Sequence, residues 1–258
     1  MGVVNVTPDS FSDGGVHLRP QAAATAARGM LDDGAAIVDV GGESTRPGSE
    51  GVPLAVELGR VEPVLAALTG SPVSIDTAKA EVARRALALG AEFVNDVTAL
   101  RADPELAGVV ADAGCYLCLM HMLGEPRTMQ VDPRYTDVVS EVKAFLEQRL
   151  AFAVAAGVRE ELVCLDPGLG FGTTVADNFE LVRRLPELVA LGRPVLIGFS
   201  RKSSLGRILG DPHATVGTRD ASVGVAVAAY ERGATLIRAH DVRAHVEALL
   251  AAQAVYAS

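Results

Sequence analysis

A strict alternation limits what this chain can fold into. Short apolar runs at residues 1–6, 36–40, 73–75, 92–94, 115–120, 162–165, 194–199 and 235–237 each give way to polar residues. They are short and dominated by apolar residues, which fits strands covered on both faces, as in a parallel sheet. Between and after them lie stretches with helical patterning, at 20–33, 54–68, 79–89, 103–113, 135–156, 178–191, 203–209, 218–232 and 242–254. Parallel neighbours need a crossover, and a helix is available each time, so an α/β class follows. Eight such units predict closure into a (β/α)8 TIM barrel with long loops after the first and second strands. The 258 residues suit one such barrel, and no linker or shift in composition divides them, so residues 1–258 read as one domain. The first strand starts abruptly at Met1, and we expect natural residues upstream of it.

Composition narrows the function. The 49 % hydrophobic content is ample for a large core, and the net charge of −9 argues against a general nucleic-acid or anionic-membrane surface. An anionic ligand would therefore need a local cluster of cations. No secretory signal is present and no apolar run approaches the roughly 18 residues of a membrane span, so the sequence reads as soluble and cytoplasmic. Cys115, Cys118 and Cys164 leave an odd thiol, which argues against a disulfide framework. Cys115 and Cys118 form a C-x-x-C, but on a strand they point to opposite faces and read as core thiols. Arg outnumbers Lys 20 to 3, so each Lys is notable, Lys202 among them.

Barrels of this kind carry their sites at the C-terminal ends of the strands. The stretch 162–172, Leu-Val-Cys-Leu-Asp-Pro-Gly-Leu-Gly-Phe-Gly, shows why. A buried strand meets Asp166, Pro167 ends its pairing, and three alternating glycines let the backbone approach a ligand closely. The glycines lack the G-x-G-x-x-G spacing of a dinucleotide turn, and Glu187 lies beside Pro186 in a helix rather than at a strand end. The other strand ends offer Asn5, residues 43–46, Asp76, Asn95 with Asp96, His121, Lys202, and Arg238 with His240.

Singly, Asp76, Asn95 and Asp166 could be ion pairs or loop caps. Together on one rim, two carboxylates and a carboxamide suit a heterocycle presenting several N–H groups and a carbonyl. Arg238 and His240 are two apart and project to one side, and Asn5 lies on the adjoining strand of a closed barrel. That cluster suits a metal–phosphate; the alternative for Arg238 is a surface salt bridge to Asp241. His121, between two Met residues, reads as a packing or hydrogen-bonding residue, and His245, on the last helix, as solvated. The loop at 7–15 carries Phe11 alone among small residues, which suits a lid as well as a surface anchor.

Asn5-Val-Thr-Pro-Asp-Ser-Phe-Ser-Asp-Gly-Gly15, Gly41-Gly-Glu-Ser-Thr-Arg-Pro-Gly48, Ser74-Ile-Asp-Thr77, Asn95-Asp-Val97, Met120-His-Met122, Asp166-Pro-Gly-Leu-Gly-Phe-Gly172, Ser200-Arg-Lys202 and Arg238-Ala-His-Asp241 occur in that order. This set resembles the dihydropteroate synthase family of pterin-binding enzymes. The resemblance implies a (β/α)8 barrel that joins dihydropterin hydroxymethyl diphosphate to 4-aminobenzoate and releases diphosphate. It also implies Mg²⁺ as cofactor and a homodimer formed through barrel helices. Under it, Asp76, Asn95, Asp166 and Lys202 hold the pterin, with Met120 near the ring. Asn5, Arg238 and His240 hold the diphosphate, Asn5 also serving the metal. Phe11, Asp13, Thr45, Arg46, Pro47, Phe171 and Ser203 form the aminobenzoate pocket. Lys202, Arg238, His240 and Asp13 then stand closest to the chemistry. Thr173 is a departure, since the family often has Lys there.

The chemistry agrees with the residue types. Diphosphate leaves from a methylene on an electron-rich ring, so acids must stabilise a cationic pterin and cations the departing oxygens. The aniline nitrogen is already a nucleophile, so no Ser or Cys is needed. A pterin-dependent methyltransferase domain would share the acids but have no use for Ser200-Arg-Lys202 or the Arg238/His240 pair. A non-catalytic pterin-binding paralogue could keep the pocket yet tolerate loss of the two long loops, and both are intact.

Overall fold

All eight apolar runs are strands: β1 (Gly2–Asn5), β2 (Val38–Gly41), β3 (Val73–Asp76), β4 (Phe93–Asp96), β5 (Tyr116–Met120), β6 (Val163–Asp166), β7 (Leu196–Ile197) and β8 (Leu236–Ile237). The computed structural model describes residues 1–7, 20–45, 48–125 and 127–256. Strands β1 to β6 pair in sequence order and β7 pairs with β8, every pair parallel. Single parallel bridges from Leu165 to Val195 and from Gly2 to Ala239 join the two sets and close the ring. The seam is carried by backbone bonds, Ala239 N–H to Met1 O at 2.9 Å and Leu165 N–H to Pro194 O at 2.9 Å.

The helices are α1 (Pro20–Asp32), α2 (Leu54–Ala67), α3 (Ala80–Ala88), α4 (Leu106–Ala113), α5 (Val138–Ala155), α6 (Val175–Arg183), α7 (Leu185–Val189), α8 (Ser203–Ile208), α9 (Arg219–Glu231) and α10 (Val242–Tyr256). Alternation along each strand divides the core. Val38, Val40, Ile75, Val94, Leu117, Leu119, Val163 and Leu165 pack outward in one cluster with helix residues such as Ala27, Val61, Val82, Val110 and Leu146. Phe93, Cys118, Cys164 and Leu196 form a smaller cluster inside the barrel. Burying both faces explains why the strands read as largely apolar runs, and each fully buried Val or Leu contributes about 1.5–3 kcal/mol. Cys115 joins the outer cluster and Cys118 the inner one, as core thiols.

Several boundaries differ from the sequence reading. The expected helix at 103–113 starts only at Leu106, because the Asp103 carboxylate accepts the N–H groups of Ala80 (2.8 Å) and Glu105 (3.0 Å). Helix α5 starts at Val138, not 135, where the Asp137 side chain caps Ser140 N–H at 2.7 Å. The stretch 178–191 begins earlier, at a capping box formed by Thr174 and Asp177, and breaks at Arg184 before Pro186. His245 is buried rather than solvated, its Nδ1 2.8 Å from the Asp241 carbonyl oxygen, so α10 turns that face inward.

The ladder register levels the strand ends. Asn5, Gly41, Asp76 and Asn95 stand side by side across β1 to β4, and Met120 stands beside Asp166 on β5 and β6. Six of the eight strands thus present their last inward position on one rim.

Candidate active site

Asp39 organises the rim from one layer below. It lies in mid-strand, is 0 % exposed, and faces inward like Gly41 two residues on. Its Oδ1 accepts Ser74 Oγ at 2.6 Å; its Oδ2 accepts Asn95 Nδ2 at 2.9 Å and Arg238 Nε at 2.7 Å. Arg238 also donates through Nη2 to Asp76 Oδ2 at 3.0 Å. One guanidinium therefore bridges two carboxylates beneath the opening of the barrel. Gly41 leaves room for this, since a Cβ there would lie 3.3 Å from the Asp76 Cβ.

The electrostatics follow from burial. Desolvation, aided by the neighbouring charge of Asp39, raises the Asp76 pKa to about 7 although Arg238 opposes the rise. Desolvation likewise raises Asp166 to about 6, against the Gly168 N–H bond and the charges of Lys202 and Arg238. Near neutral pH the rim therefore holds one mostly ionised acid and one near its midpoint. Such a pair can accept ring N–H groups, or donate from a protonated carboxyl to a ring nitrogen or carbonyl.

The glycine stretch after β6 is held from three sides. Asp166 Oδ1 accepts Gly168 N–H at 2.7 Å, and Gly168 adopts φ +71° where a Cβ would sit 1.8 Å from the His121 carbonyl oxygen. Only glycine fits that approach. Gly170 N–H is shared by Thr173 Oγ1 (3.0 Å) and Asn178 Oδ1 (2.7 Å), and Asn178 Nδ2 donates to Ser204 Oγ at 3.0 Å. Thr173 is thus a buried loop lock. Gln130 Nε2 and Tyr135 Oη donate to the carbonyls of Gly170 (2.9 Å) and Gly172 (2.7 Å) from the segment after β5. Gly170 also lets the Lys202 stem pass, since a Cβ there would lie 3.3 Å from Lys202 Cδ. The Lys202 ammonium then rests 4.1 Å from the Phe171 ring centroid, a cation–π contact. Met120 packs with Val97, Met122, Met129 and Phe171 as the apolar side of the opening.

His240 lies past β8, its Nδ1 3.1 Å from Ser200 Oγ, which also accepts His240 N–H at 3.1 Å. Burial first, then the nearby charges of Arg238 and Arg201, lower its pKa to about 4, so its imidazole is neutral at pH 7. The alternative pairing of Arg238 with Asp241 is not observed. Asp241 is bound by Arg201 through Nε (2.9 Å) and Nη2 (2.6 Å). His121 packs edge-on against Phe145 with ring centroids 5.0 Å apart, in the packing role expected of it.

The structure thus brings Asp76, Asn95, Arg238, Asp166, Lys202, Phe171 and Met120 to one end of the barrel, with Asn5 in line on β1. Thr45 and Ser203 are half-buried, in the loop after β2 and at the start of α8. Phe11, Asp13, Arg46 and Pro47 lie outside the described residues. Two groups escaped the sequence reading. Asp39 was hidden in an apolar run, where an acid of inward parity was the available signal. Glu57 and Lys79, which meet beside the rim, read only as helix residues, although the scarcity of Lys marked Lys79.

A parallel (β/α)8 barrel whose rim gathers buried acids and cations defines the class, and residues 1–240 match the model of the pterin binding enzyme family. The chain belongs to that family, and within it to the dihydropteroate synthases. It is 46 % identical over 260 residues to the dihydropteroate synthase of Neisseria meningitidis serogroup C, covering 99 % of this chain and 92 % of that protein. The solved Xanthomonas albilineans dihydropteroate synthase with 4-aminobenzoic acid superposes with a TM-score of 0.91 at 46 % identity, covering 100 % of this chain and 92 % of the other. The same enzyme with 7,8-dihydropteroate gives 0.87 at 44 % identity, over 100 % and 93 %.

Proposed function

We propose that this protein condenses 6-hydroxymethyl-7,8-dihydropterin diphosphate with 4-aminobenzoate, yielding 7,8-dihydropteroate and diphosphate in folate synthesis. The observation that carries the reading is the gathering of Asp76, Asn95 and Asp166 with Arg238 and Lys202 at one barrel end, Arg238 bonded to Asp76 and both cations acting electrostatically on Asp166. The bond from the pterin methylene to the diphosphate oxygen breaks, and a bond from that carbon to the aniline nitrogen forms. The nitrogen then loses a proton, and diphosphate leaves with the electron pair.

In this reading Asp76, Asn95 and Asp166 bind the polar edges of the pterin, with Met120 against its ring and Lys202 beside it. Fixed carboxylates stabilise the positive charge that grows on the ring as the bond breaks, without reorganising. Arg238, His240 and Asn5 face the diphosphate. Thr45, Phe171 and Ser203, with Phe11, Asp13, Arg46 and Pro47, hold the aminobenzoate. Among the described residues no three His, Cys, Asp or Glu side chains gather as a metal site. A hard cation such as Mg²⁺ fits a sparser set, with one oxygen from Asn5 and the rest from diphosphate and water. When bound, it supplies positive charge to the leaving group.

A cytoplasmic homodimer belongs to the same reading and rests on the family resemblance; none of the described helices is long and apolar enough to cross a membrane. Incubation with both substrates should give 7,8-dihydropteroate by mass, and either substrate alone should give none. Tight pterin binding without product would favour the non-catalytic paralogue.

A further inference from the structure

The loop that leaves β2 is fixed at its stem by a cluster that the proposed chemistry does not use. Gly42 lies against α2, where a Cβ would come within 2.7 Å of Val61 Cγ1, and its carbonyl accepts Arg60 Nη1 at 2.7 Å. The Glu43 carboxylate reaches across the loop to accept Val52 N–H at 3.1 Å, and Ser49 Oγ donates to the Ser44 carbonyl at 2.6 Å. Lys79, just before α3, pairs with Glu43 and also with Glu57 Oε2 at 2.5 Å. Glu57 is 1 % exposed, and its other oxygen accepts Thr77 Oγ1 at 2.6 Å. Thr77 directly follows Asp76 and also accepts Lys79 N–H at 3.2 Å.

These contacts form an unbroken path from the acid Asp76, through Thr77, Glu57, Lys79 and Glu43, to the stem that carries Thr45. We infer that the Glu43–Lys79–Glu57 cluster is a positioning device that sets the β2 loop, and Thr45 with it, relative to the pterin end of the site. The inference rests on the proposed synthase reading, in which Thr45 borders the aminobenzoate. An exposed ion pair would contribute little to either stability or position. Here Glu57 is buried and holds the shared ammonium in place, so moving the loop stem would break a charge-assisted bond to a fixed partner. Burial opposes the charge on Lys79, but its bonds to Glu43 and Glu57 outweigh that and raise its pKa.

Glu43 is the place to test this, because its side chain is 27 % exposed and Glu43→Gln keeps an acceptor for Val52 N–H while removing the charge. Initial-rate kinetics on the full chain would vary each substrate in turn. Glu43→Gln should raise KM for 4-aminobenzoate about five-fold, while kcat and KM for pterin diphosphate change less than about two-fold. Lys79→Arg, which preserves the charge, should hold all three within about two-fold of the parent. A merely structural cluster would leave these constants unchanged or lower kcat with the folded fraction. Unchanged constants, or equal shifts in both KM values, would overturn the inference. A parent protein that makes no product from both substrates would instead sink the synthase reading, and this inference with it.

Discussion

Asp76→Asn removes a carboxyl that burial and Asp39 make costly to ionise. In the folded protein its pKa rises from 3.8 to about 7. Between those values the native state holds a proton that the unfolded chain has released, so stability falls as pH rises from about 4 to about 7. At about 1.4 kcal/mol per pH unit the full loss is on the order of 4 kcal/mol above pH 7, and less than half of it is present at pH 5. Asn cannot ionise, keeps nearly the same shape, and can still accept Arg238 Nη2 through its carbonyl oxygen. The variant should therefore be more stable than the parent at pH 8, by about 10 °C in thermal melts, narrowing to about 4 °C at pH 5. Turnover should collapse in the same variant, since a neutral amide cannot stabilise a cationic ring as a carboxylate does. The assay is a pair of melts across pH 5 to 8. A variant no more stable than the parent at pH 8, or a gap that does not change with pH, would refute the account of this acid.

Three further outcomes follow from the same geometry. Asp166→Asn should weaken pterin binding by about 1.5–3 kcal/mol in a calorimetric titration with the fold intact; unchanged affinity would remove Asp166 from the site. Gly168→Ala meets both a φ of +71° and a backbone oxygen 1.8 Å from the new Cβ, so it should sharply lower the melting temperature, and a parent-like melt would contradict the packing described. Arg238→Met strips the cation from Asp39 and Asp76, so we expect a stability loss of about 3–5 kcal/mol by urea unfolding along with lost turnover. A stable Arg238→Met protein with normal diphosphate release would show that the guanidinium serves neither purpose.

The barrel was legible because its strands are buried on both faces, which leaves an apolar signature ended by polar residues at the rim. The same property concealed Asp39. Between Val38 and Val40 its charge reads as an interruption, and nothing local shows that Ser74, Asn95 and Arg238 converge on it from other strands. Arg238 illustrates the limit most clearly. Its nearby acid in sequence is Asp241, yet closure of the ring places it over Asp39, a residue 199 positions away, and gives Asp241 to Arg201. Helix ends failed where a cap was tertiary or compound, as at Asp103, which bonds a neighbouring helix, and at Thr174 with Asp177. His245 was misread because its burial depends on how α10 seats on the barrel rather than on helical periodicity. Lys79 could have been singled out by rarity alone, but its partners come from the β2 loop and from α2.

The central claim is that one rim binds the pterin and releases the diphosphate only in exchange for an amine. It is tested most directly by the rate of diphosphate release from pterin diphosphate with and without 4-aminobenzoate. The account predicts release that depends on 4-aminobenzoate and matches dihydropteroate formed one for one. Release at the same rate without the amine would make the protein a hydrolase, and no release with both substrates bound would make it a pterin-binding protein without synthase activity; either result contradicts the account.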